Sequence, residues 1–324
     1  MRRRNFLAAA GSAAAMWPSS LSAQQPALRT RVGILIYSTP ERDPSTQSFL
    51  RGMRELGYID GRNVSFEFRY ADSKPERLDD LAADLVRSKP DVIYALGGDV
   101  TPSVAKATQT IPIVYAMSAD PVQVGLAASL AKPGGNATGV TYLSDELAAK
   151  RIQLFKLAVP RISRVGLLRD PTHADNEEPV AQRAATTLGV ALHPVLMRGP
   201  TDLDRALTTA SEANIDSLYV VSSRHTTANI ERIVEFASKH RLPLVGGWGA
   251  WVQSGGLLSY GPHIADMVQQ SASYVDKVLK GAKPSDLPVQ QPTRFELHVN
   301  LKTAKALGLT IPEPFLLLAD KIIE

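Results

Sequence analysis

The chain has 324 residues, 44 % of them hydrophobic and 21 % charged, with a formal net charge of +4. That length can bury a full core, in two lobes by size, and the absence of cysteine excludes disulfides, thiolate metal sites, a cysteine nucleophile and a lipidated cysteine tether. Arg2, Arg3 and Arg4 supply three of the four net charges and no Lys/Arg block follows them, so no nucleic-acid footprint is indicated.

At the N-terminus those three arginines precede a small apolar segment, Phe6 to Trp17, then Pro18 and Leu21-Ser22-Ala23. A charged region, a short apolar region and small residues before a cleavage point predict a secretory leader. The apolar run falls well short of the roughly 20 residues that cross a bilayer. Arg3-Arg4-Asn5-Phe6-Leu7 also has the form of a twin-arginine signal, with ordinary secretion as the alternative. Cleavage is expected after Ala23, releasing a periplasmic chain that is not embedded in the membrane.

Beyond Gln24, short β-rich runs alternate with helical segments. Val32–Tyr37 reads as the first strand; Asp43-Pro44 then reads as N-cap and first helical position, with Phe49, Leu50, Met53 and Leu56 in helical phase and Gly57 closing the helix. A strand over Val64–Tyr70 follows, then a helix opened by Ser73-Lys74-Pro75-Glu76 in the form of a capping box. Asp91–Leu96 and Ile111–Met117 are buried-strand patterns, and a Gly-rich crossing stands at Pro133-Gly134-Gly135-Asn136. The rhythm then restarts. Helices near 145–158, 177–188, 203–213 and 230–240 alternate with strands near 164–169, 190–196, 217–221 and 242–245. A late helix over Met267–Leu279 and a last strand over Arg294–Val299 complete the chain. Repeated β-α units with near-continuous apolar strands predict an α/β protein of two doubly wound parallel-sheet lobes joined by a hinge.

Ligands of open parallel sheets bind beyond the carboxyl ends of strands, beside helix N-termini. In the first lobe those positions are Tyr37 and Ser38, Gly97-Gly98 with Thr101-Pro102 as N-cap and first helical residue, and Ser118 with Asp120. In the second they are Asp170 to His173, Ser222 to Thr226 including Arg224, Gly246 to Trp248, and Ser259-Tyr260-Gly261. Gly-Gly before a helix start lets backbone approach an anion, although the same residues also serve as a plain strand-to-helix turn. Asp120 suits a ligand ammonium or a local cap. Tyr37, Trp248 and Tyr260 suit stacking or rim packing. The six histidines, at 173, 193, 225, 240, 263 and 298, lack metal-site spacing. No nucleophile elbow, P-loop or complete dinucleotide fingerprint is present. No catalytic residue, metal or cofactor is therefore expected.

The chain resembles the ABC-transporter substrate-binding proteins of the tryptophan-binding (TrpX-like) type. The stretches that carry the resemblance are Phe49–Asp72, Leu81–Gly98, Ile111–Val140, Gly256–Pro262 and Phe295–Pro312. It implies a type 1 periplasmic-binding-protein fold, with lobe 1 at 30–140 and 258–289, lobe 2 at 141–257 and 290–324, and three crossing segments. It also implies a monomer that closes over a small organic ligand, an amino acid or carboxylate, and docks on an ABC permease driven by a cytoplasmic ATPase. Three stretches depart from the family pattern: Asp170–Asp175 where an Asn/Pro-rich loop is usual, Ser222-Ser223-Arg224-His225 where a Ser-Asp-Pro-like turn is common, and His263 where Asp often follows Ser-Tyr-Gly-Pro. Arg224 would suit a second anionic group. A sensory module for a membrane kinase or chemoreceptor is the alternative function, and a periplasmic enzyme on the same scaffold a further one.

Overall fold

The structure, a computed structural model, describes residues 30–40, 44–97, 100–142 and 145–324. The leader, the Asp43 cap and Gly98 lie outside the described residues.

The first sheet is built from β1 (Thr30–Ile36), β2 (Val64–Tyr70), β3 (Val92–Leu96), β4 (Ile113–Met117) and β5 (Ala137–Thr141), interleaved with α1 (Pro44–Glu55), α2 (Leu78–Arg87) and α3 (Val100–Ala107). All its pairings are parallel, in the order β2-β1-β3-β4-β5. β3, β4 and β5 are buried along their whole length, which is why the first two read as unbroken apolar runs. One face packs on α1, where the Phe49 ring stacks on Tyr94 at 3.8 Å; the other is covered by α2 and α3.

The second sheet takes α4 (Asp145–Ala158), β6 (Arg164–Arg169), α5 (Glu177–Thr187), β7 (Ala191–Leu196), α6 (Leu203–Glu212), β8 (Ser217–Val220), α7 (Arg224–Ala228), α8 (Ile230–Lys239), β9 (Leu244–Gly246), α9 (Gly249–Gln253) and β10 (Leu258–Pro262). α10 (Ile264–Leu279) follows, then β11 (Phe295–Asn300), α11 (Leu301–Leu307), α12 (Glu313–Leu316) and β12 (Lys321–Ile323). The order is β12-β11-β10-β9-β8-β6-β7, parallel except where β11 runs against β10.

One boundary moves. The expectation that 258–289 belongs to the first lobe fails for β10, which pairs with β9 and β11 in the second sheet. Only after Pro262 does the chain return, when α10 packs beside α1 in the first core. The remaining connections run through 142–145 and through the stretch before β11, where Gln290 bridges to Val140. Two local expectations also change. Ser73 caps nothing, because it takes a left-handed φ of 60° and the chain enters a 3₁₀ turn at Pro75 from Lys74 without a side-chain cap. β5 went unread because its five residues, Ala-Thr-Gly-Val-Thr, follow the Gly-rich crossing without an apolar run.

Candidate functional site

Each sheet has one point where the strand order reverses, between β1 and β3 in the first and between β6 and β8 in the second. Crevices form at such points because the flanking connections leave in opposite directions. The two crevices face each other here. The Arg224 guanidinium, at the start of α7, lies over the Tyr37 ring at the end of β1, with Cζ 4.7 Å from the ring centre. The Asp120 N–H, after β4, donates to the Ala174 carbonyl, after β6, at 2.9 Å.

On the first side, the half-buried Tyr37 donates its hydroxyl to the Ser73 carbonyl at 2.6 Å, and burial raises its pKa. Ser38 follows Tyr37 and Ser118 follows β4, both at strand ends and partly exposed. Gly97 adopts a φ of 121°, which favours glycine. Thr101 is not the N-cap: α3 already begins at Val100, and Thr101 is fully buried with its hydroxyl 3.4 Å from the Gly97 carbonyl. Asp120 Oδ1 accepts the Val122 N–H at 2.7 Å and the Gln123 N–H at 3.4 Å, so its side chain closes its own turn.

On the second side, Asp170 accepts the Thr172 N–H at 2.9 Å and hydroxyl at 2.7 Å, and its Oδ2 stands 2.7 Å from His225 Nδ1. Burial works to raise the Asp170 carboxyl, but His225 and Thr172 outweigh it and hold the pKa low. The other ring nitrogen of His225, Nε2, is 2.7 Å from Arg224 Nη2. Ser222 is turned inward, its Oγ accepting from Trp251 Nε1 at 3.1 Å. Ser223 caps α7 in a capping box with Thr226, a pattern the sequence spells as Ser-x-x-Thr. Trp248 stands half-buried, edge-on to Tyr142 at 6.5 Å. Tyr260 does not join them: its ring packs on Phe295 and the second core. His263 caps α10, with Nδ1 accepting the Asp266 N–H.

Beneath this surface lies a network that pattern reading did not assign. Arg151 of α4, fully buried, gives Nη1 to Glu177 Oε2 at 2.7 Å and to the Tyr219 hydroxyl at 3.1 Å, and Nε to the Tyr260 carbonyl at 2.7 Å. Burial opposes the charge, and Glu177 more than compensates. The signal was an arginine on the apolar face of α4, in phase with Ala148 and Phe155. Two further carboxyls stand nearby. Asp145 accepts the Asn176 N–H at 2.9 Å and Asp175 the Glu177 N–H at 2.8 Å. Burial and then the Glu177 charge push Asp175 up to about 7; burial pushes Asp145 up to about 6. At the outer edge of the cleft a cavity of about 420 Å³ is bounded by Glu76, Asp79, Ser103 and Lys106 from one lobe and Thr172 and Arg224 from the other. Among the described residues, no group of three or more metal-ligating side chains is placed to hold an ion, and no helix is long and apolar enough to cross a membrane.

The model of the family described as ABC transporter substrate binding protein matches residues 31–323. The chain belongs to that family. A tyrosine-binding protein of Clostridioides difficile (strain R20291) is 26 % identical over 281 residues, spanning 83 % of this chain and 78 % of that protein. A conserved domain protein from Vibrio cholerae superposes with a TM-score of 0.84 at 28 % identity, covering 90 % of this chain and 99 % of its own. An ABC domain from Streptococcus pneumonia in complex with L-Trp does so at 0.85 and 25 % identity, covering 91 % and 100 %. The fold is that of the type 1 periplasmic binding proteins, and the chain is a substrate-binding protein of the ABC-transport class.

Proposed function

We propose that this substrate-binding protein is exported to the periplasm after cleavage near Ala23, takes an amino acid or related small carboxylate between its lobes, and presents it to an ABC permease coupled to a cytoplasmic ATPase. The observation that carries this is the opposition of the two switch-point crevices, which puts Tyr37 of one lobe against Arg224 of the other. A solute held there touches both lobes, so its binding energy stabilises closure. The cleft offers aromatic surface in Tyr37 and Trp248, polar groups in Ser38 and Ser118, and a cation in Arg224. These suit a carboxylate with an apolar body. The relatives that bind tyrosine and L-Trp support the same class. Thr101, Ser222 and Tyr260 have contacts within their own lobes, so the proposal does not rest on them.

The test is native mass spectrometry of the purified protein followed by a thermal-shift panel of amino acids, aromatic acids and dicarboxylates. A solute at 100 times its dissociation constant stabilises by about 2.7 kcal/mol. A panel in which aromatic or acidic amino acids raise the melting temperature supports the assignment. A flat panel together with no co-purified mass refutes it.

A further inference from the structure

Arg224 does not reach Tyr37 unaided. Its Nη2 is 2.7 Å from His225 Nε2, and His225 Nδ1 is 2.7 Å from Asp170 Oδ2. Both flanking groups are buried, Asp170 at 3 % and His225 at 4 % exposure, so the chain of contacts is set by the second lobe's own packing. A guanidinium N–H is a donor only, and an ionised carboxylate an acceptor only. A histidine between them can serve both: its Nε2 is within hydrogen-bond distance of the Arg224 guanidinium, and its Nδ1 stands in ion-pair range of Asp170. At its far end the guanidinium rests on the Tyr37 ring within cation–π range, and the ring is fixed by its hydroxyl bond to Ser73.

We propose that Arg224 is an interlobe latch that draws the lobes together through the Tyr37 ring, with Asp170 and His225 as its positioning residues. The latch is a contact between protein groups, so it favours the closed form whatever solute is bound and tunes affinity through the closure equilibrium. The inference rests on the reading that the lobes close over a solute.

Because the chain has no cysteine, cysteines placed at the exposed Arg51 of α1 and Lys239 of α8 take spin labels uniquely. Pulsed EPR on the full chain, dialysed from denaturant and refolded, then reads the closed-to-open ratio. Arg224→Gln and Tyr37→Leu are each expected to lower that ratio about 2- to 30-fold, while Tyr37→Phe, which keeps the ring, retains it. His225→Gln, whose amide oxygen replaces the Nε2 acceptor, keeps the ratio, whereas His225→Leu, which removes that acceptor, lowers it as Arg224→Gln does. Unchanged ratios in Arg224→Gln and Tyr37→Leu, or a parent-like ratio in His225→Leu, would overturn the latch. The receptor reading is tested apart, in the parent protein: a melting temperature raised by L-Trp there, with parent ratios in the variants, sinks the latch alone, and a single distance in every variant and with every solute removes the hinge reading itself.

Discussion

Asp175 is a carboxylate whose removal is expected to stabilise this protein. It is half-buried, shares its surroundings with Glu177 and Asp145, and has a pKa pushed up from 3.8 to about 7, first by burial and then by the Glu177 charge. A carboxyl raised in the folded state favours folding at acid pH, and that advantage is lost as pH rises through the folded value. At pH 8 the group is ionised in both states and the folded protein bears the whole cost. The upper limit is about 4 kcal/mol. Partial solvent contact and the shared field of the neighbouring carboxyls reduce this to about 1–3 kcal/mol. Asp175→Asn keeps an oxygen to accept the Glu177 N–H while deleting the charge. Urea melts at pH 4, 6 and 8 provide the measurement. The variant gains stability over the parent at pH 8, gains less at pH 6, and matches it at pH 4. Destabilisation by Asp175→Asn that is largest at pH 8 and shrinks towards pH 4 would mean that the carboxylate is paired and that the burial argument is wrong.

Arg151→Ala leaves Glu177 buried without its partner and is expected to cost about 3–5 kcal/mol; combining it with Glu177→Ala recovers part of that loss in a double-mutant cycle, and additive losses would show the pair to be uncoupled. Gly261→Ala places a Cβ 1.7 Å from the Gly247 carbonyl oxygen, so denaturant melts should show a loss of about 3 kcal/mol or more, and a parent-like midpoint would contradict the close approach of these two backbones. Asp120→Ala removes the acceptor of two turn N–H groups and is expected to cost about 0.5–1.5 kcal/mol; because the contact to Ala174 is made by the backbone N–H, the turn carries any effect on solute affinity, which calorimetry would show as small beside that of Arg224→Gln.

The strands were legible where burial on both faces forces continuous apolar residues. Asp91–Leu96 contains the fully buried β3, and Arg164–Arg169 coincides with β6, buried from Val165 to Leu168, for that reason. The switch points were legible too, since they need only the order of β-α units, and this placed Tyr37, Gly97, Asp170 and Arg224 near the cleft before any coordinates. Sheet membership was harder to read at β10. Leu-Ser-Tyr-Gly-Pro has apolar and polar positions that suit either sheet, and the helix after it belongs to the other lobe. What decides is the link: two parallel partners within one sheet need a crossover, and the short α9 supplies it between β9 and β10.

Side-chain direction was the less legible part, and its failures share one cause. Thr101, Ser222 and Tyr260 sit at the right chain positions, yet each side chain is claimed by a neighbour within its own lobe: the Gly97 carbonyl, the Trp251 indole and the Phe295 ring. Position at a strand end says that the backbone reaches the cleft; the partner for a polar atom comes from wherever the fold leaves one closer. The converse holds for His225, which local spacing gave no reason to single out. It lies 55 positions from Asp170, and only the adjacency of β6 and β8 brings them together. That adjacency follows from the reversed strand order, so the feature that locates the cleft also assembles the side chains that hold Arg224 across it.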